Sequence, residues 1–151
     1  ILFKAGGERS PEQINLTDIP PLVIAASGVY GNTKTLIDGV RQRYEVNKAQ
    51  YAALFNNIDE LTLMGATALA EGNYEKLGSA MNICQGLLNA IGVSTPELEN
   101  MVAMARDAGA LGAKLTGAGG GGSIVALCPG KVDEVSRTLA EAGYQIVFIS
   151  E

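Results

Sequence analysis

Lys114-Leu115-Thr116-Gly117-Ala118-Gly119-Gly120-Gly121-Gly122-Ser123-Ile124-Val125-Ala126-Leu127-Cys128 is the stretch on which the fold turns. Ala113-Lys114-Leu115 reads as a strand, and Ser123–Cys128 is the clearest strand in the chain: apolar, β-branched and closed by Pro129-Gly130. Between them, five of the six residues 117–122 are glycine. A GxGxxG spacing is present at Gly117, Gly119 and Gly122. A dinucleotide fingerprint needs a helix after its glycines, and here a strand follows, so that reading is rejected. No Gly-Lys-Ser/Thr closes the run, so it is not a Walker A loop either. Glycine lets backbone approach a neighbour closely and adopt positive φ. Successive N–H groups can then converge on an anion. The functional reading is a loop on the phosphate side of a site; the plain alternative is a flexible hairpin connection. So many glycines cost folding entropy that an ordinary turn need not lose. The run is nonetheless long for a hairpin turn alone. Lys114 either neutralises a phosphate or points to solvent at a sheet edge.

Working outward, Val132, Val135 and Leu139 form one helix face, and Tyr144–Ile149 a final strand. Upstream, Leu22–Ala26 after Pro20-Pro21 reads as a buried strand, and Ile1–Lys4 as a short one stopped by the turn-like residues 5–11. Asn32 or Thr33 suits the N-cap of a helix running to about Tyr44. The middle is helical. Leu54, Ile58, Leu61, Gly65 and Leu69 make one stripe; Leu77, Met81, Cys84, Leu88 and Ile91 make another after a cap at Asn73. Gly92 suits a helix end. The next helix starts either at Thr95 with Pro96 in first position or as a Ser94/Glu97 capping box, and Gly109 stops it. Strands, then several helices, then strand-strand-helix-strand fits an α+β domain with helices on a mainly antiparallel sheet. No repeat and no linker is visible.

Composition narrows the chemistry. The 151 residues are 47% hydrophobic and 18% charged, so the chain buries a core of its own. A net charge of −5 argues against a nucleic-acid partner, though not against a small anion site. There is no histidine, which removes Ser-His and Cys-His catalysis and Cys/His zinc sites. Cys84 and Cys128 are far apart and form no CxxC pair, which suits a reducing cytoplasm. No apolar run approaches the ~20 residues of a membrane span. The chain opens on Ile1 rather than Met and reads as a piece of a longer protein.

Four segments in order carry a resemblance. Lys114–Gly122 resembles the third signature motif of the galactokinase–homoserine kinase–mevalonate kinase–phosphomevalonate kinase (GHMP) superfamily, with its mevalonate kinase branch the closest match. Gly31-Asn32-Thr33-Lys34-Thr35-Leu36 with Gly39-Val40-Arg41 is similar to the threonine-bearing segment that opens that family's C-terminal domain. Leu77-Gly78, Met81-Asn82, Gln85-Gly86-Leu87-Leu88 and Ile91-Gly92-Val93-Ser94 resemble its central helix and the following turn. Ala108–Ala113 leads into the glycine motif in the family manner. The resemblance covers about Leu22 to Ile149.

It implies a C-terminal GHMP domain over residues 1–151, ferredoxin-like in fold, without the N-terminal domain that holds the phosphate loop, the acid/base groups and the metal ligands. No Pro-x-x-x-Gly-Leu-Gly-Ser-Ser-like string occurs. It implies ATP and Mg2+ as cofactors, bound mainly by that missing domain, and mevalonate as acceptor in isoprenoid biosynthesis. It implies that Gly117, Ala118, Gly119, Gly120, Gly121 and Gly122 support the ATP phosphate loop, and that Thr33 binds the acceptor. Thr33 as a bare helix cap is the competing reading. No catalytic residue and no metal ligand is expected in this chain, and the isolated domain is expected to be inactive. A homodimer is compatible with the resemblance; nucleic acid and membrane are not expected. Asn82, Gln85 and Ser94 match family positions but are not assigned as sites. Ala26 stands where mevalonate kinases often carry an acid, and Ser123 where they often carry Cys, so another GHMP small-molecule kinase is the alternative. A binding module that keeps the fold without catalysis, or a structural domain with a glycine hairpin, is the reading from outside the enzyme class.

Overall fold

The computed structural model describes residues 13–14, 18–29 and 31–150. The expectations for Ile1–Lys4 and residues 5–11 lie outside them. The order is β1 (Leu22–Ala26), α1 (Thr33–Val46), α2 (Lys48–Ala70), α3 (Tyr74–Ala90), α4 (Pro96–Asp107), β2 (Gly112–Thr116), β3 (Ser123–Leu127), α5 (Val132–Glu141) and β4 (Gln145–Ser150). The four strands form one sheet in the order β2-β3-β1-β4, every pair antiparallel. This is the α+β, ferredoxin-like arrangement. The long glycine run does close a hairpin: Thr116 pairs with Ser123 across it.

The caps explain the helix starts. Asn32 Oδ1 accepts from Thr35 N at 3.2 Å, so Asn32 is the cap of α1 and Thr33 its first helical residue. Asn73 Oδ1 accepts from Lys76 N at 3.0 Å, as the sequence suggests. Thr95 Oγ1 accepts from Leu98 N at 3.3 Å, with Pro96 in the first turn, which decides against the Ser94/Glu97 box. Gly92 and Gly109 take φ of +78° and +103° just past the ends of α3 and α4.

Alternate residues of the sheet face one core. Val23 and Ala25 of β1, Ala113 and Leu115 of β2, and Ile124 and Ala126 of β3 pack with Leu98, Met101, Val102 and Ala105 of α4 and with Val132, Val135 and Leu139 of α5. Leu98 and Leu139 are 0% exposed, and burial of each contributes roughly 2 kcal/mol. Helix α3 departs from the expected pattern. Leu77, on its apolar stripe, faces Gly65 of α2, whereas the side toward β2 carries Gly78, Asn82 and Gln85. Backbones meet here: a Cβ on Gly78 would lie 2.7 Å from Leu111 O. Strand β2 is a sheet edge, and α3 satisfies it. Ala113 N donates to Asn82 Oδ1 at 3.1 Å and Leu115 N to Gln85 Oε1 at 2.8 Å. The edge is thereby withheld from pairing with another chain.

Candidate functional site

The glycine loop is held from two sides. Gly120 N donates to Val93 O at 2.8 Å, in the turn after α3. Gly122 N donates to Val29 O at 2.7 Å, and Ser27 N donates to Gly122 O at 2.8 Å, in the segment between β1 and α1. All five loop glycines have φ between +71° and +129°. At two of them there is also no room. A Cβ on Gly121 would lie 2.5 Å from Val29 O, and one on Gly119 would run into Val93 O. A Cβ on Gly31 would likewise run into Gly120 O. The loop is a braced element rather than a loose connection.

A cavity of about 350 Å3 opens on this loop. Its walls are Gly31, Thr33, Thr116, Ser123 and the loop residues Gly117, Ala118, Gly119, Gly121 and Gly122. Thr33, at the start of α1, and Gly117, after β2, are far apart in sequence and share this one hollow. Thr33 is exposed, and because Asn32 does the capping, its hydroxyl is not committed to the helix start. Among the described residues no lysine or arginine lines the cavity, so its polar character comes from backbone and from the Thr33, Thr116 and Ser123 hydroxyls. Gly120 and Gly122 spend their N–H groups inward, on Val93 and Val29. A larger apolar hollow of about 500 Å3, lined by Leu36, Val40, Phe55, Ile91 and Val93 among others, also touches Ala118. Its walls are mainly aliphatic and aromatic, with Arg41 beside them.

Lys114 is placed differently from either sequence reading. Its Nζ donates to Leu115 O at 2.6 Å, and it does not line the glycine cavity. Burial lowers its pKa, opposed by the neighbouring Cys84. The Cys84 thiol is itself pushed up by burial, and both cysteines are free thiols. Asn82, Gln85 and Ser94 do not line the cavity: the two amides bond to β2 and its approach, and Gln85 Nε2 donates to Ser94 Oγ at 3.1 Å. Among the described residues no group of three or more His, Cys, Asp or Glu side chains is arranged for a metal. No described helix is long and apolar enough to cross a membrane.

Residues 66–145 match the family model described as GHMP kinases C terminal. The chain belongs to the GHMP kinases. A mevalonate kinase of Methanothermobacter thermautotrophicus is 44% identical over 122 residues, covering 81% of this chain and 40% of that protein. A mevalonate kinase of Pyrococcus abyssi is 43% identical over 128 residues, covering 82% and 38%. The crystal structure of L. major mevalonate kinase in complex with R-mevalonate superposes with a TM-score of 0.85 at 28% identity, covering 95% of this chain and 46% of that one. This GHMP chain thus spans about two fifths of the length of the curated relatives it matches.

Proposed function

We propose that this chain is the C-terminal domain of an ATP-dependent mevalonate kinase, acting on the primary alcohol of mevalonate. The observation that carries the proposal is the shared cavity: Thr33 and the braced glycine loop line one hollow, in a chain about 40% identical to mevalonate kinases. Phosphoryl transfer rests on positioning and charge stabilisation more than on covalent chemistry. Gly117, Ala118, Gly119, Gly121 and Gly122 form a wall that lets a second backbone approach, because side chains are nearly absent there, and Gly120 ties it back to Val93 O. That wall supports the loop around the ATP phosphates and helps exclude water. Thr33 offers its hydroxyl to the acceptor. The described residues supply no ligand set for Mg2+, so no step is assigned to the ion on this chain.

The test is a substrate panel on the full-length enzyme containing this chain, with ATP and mevalonate, phosphomevalonate, galactose or homoserine. Turnover of mevalonate alone is expected, and none by the isolated domain. Preference for another alcohol overturns the acceptor. No phosphorylation of any of them overturns the kinase reading and favours a binding module.

A further inference from the structure

Gln85 is the one polar side chain buried in the core among the described residues, at 1% exposure. Its amide is used on three sides. Oε1 accepts from Leu115 N at 2.8 Å; Nε2 donates to Glu99 Oε1 at 2.8 Å and to Ser94 Oγ at 3.1 Å. Leu115 lies on the strand that enters the glycine loop, Ser94 in the turn that braces the loop's middle, and Glu99 on α4. Leu115 is two residues before Gly117, near the end of β2. Ser94 follows Val93, whose carbonyl accepts from Gly120 N. One side chain on α3 therefore ties together the strand that enters the loop and the turn against which the loop rests.

We propose that Gln85 is a positioning residue that sets the glycine loop relative to the cleft. Only the kinetic readout of this role rests on the proposed kinase function. Asn82 is the internal control, since it bonds the same strand and its approach at Leu111 and Ala113 but has no link to Ser94.

The experiment compares Gln85→Met, Ser94→Ala and Asn82→Ala in the full-length enzyme, well below each melting temperature. Gln85→Met is expected to raise KM for ATP and lower kcat, together by about tenfold or more in kcat/KM, because small misplacements near a reacting group are amplified. Ser94→Ala, which removes one bond and folds more safely, is expected to move the same way by a smaller factor. Asn82→Ala is expected to lower Tm with unchanged kinetics. Amide exchange at Gly120 gives a readout independent of activity: it is expected to accelerate in the Gln85 and Ser94 variants and not in Asn82→Ala. Loss of Tm without faster Gly120 exchange in the Gln85 and Ser94 variants overturns the proposal. Faster exchange in an enzyme that phosphorylates nothing upholds the positioning role and fails the kinase reading instead.

Discussion

At Gly121 the backbone φ is +129° and a Cβ would lie 2.5 Å from Val29 O, so both conformation and space oppose a side chain. At Gly122 the φ is +90° but nothing lies within 4 Å. Gly122→Ala is expected to cost about 1–2 kcal/mol from backbone strain alone. Gly121→Ala is expected to cost more, because Val29 must also move; thermal melting of the two variants measures the difference. Thr33 makes a different kind of prediction. Thr33→Val keeps the shape and removes the hydroxyl, and about a tenfold rise in KM for the acceptor is expected, with KM for ATP unchanged. Cys128 tests the core. Burial pushes its thiol from 9.0 up to about 11, so the folded state holds the proton more tightly than the unfolded state. This contribution is complete below pH 9.0 and is lost as the pH rises toward about 11. A Cys128→Ala variant is expected to show a flatter fall of Tm across that window.

At the scale of elements, α3 and β2 are joined by close backbone approach and by two amide side chains. Gly78→Ala places a methyl 2.7 Å from Leu111 O, which is backbone and cannot rotate away. The helix must shift off the strand, and a loss of about 1–3 kcal/mol is expected in denaturant unfolding. A helix cap is a smaller lever: Thr95→Ala leaves Leu98 N without its side-chain acceptor and is expected to cost about 1 kcal/mol in the same measurement. These elements also show why the helix pattern was only partly legible. Apolar spacing reveals a stripe that meets another helix, such as Leu77 against Gly65. It does not reveal a polar face that meets a strand edge, because amides at Asn82 and Gln85 can face a cleft, meet solvent or bond to backbone, and spacing does not choose among these.

Across the whole molecule, local signals were enough for the described strands, the α3 start at Asn73 and the α+β class. Strand β3 and the turn Pro129-Gly130 follow from composition, and the ease of φ > 0 at the loop follows from glycine itself. The glycine motif and its neighbours also carried the GHMP resemblance. Tertiary structure decided the rest. It closed the hairpin across residues 117–122 and brought Thr33 to the glycine cavity. It also gave Gln85 its three partners. The physical reason is range. Turn chemistry, capping and periodicity act over a few residues, whereas a hydrogen bond such as that from Gly120 to Val93 depends on where the folded chain returns.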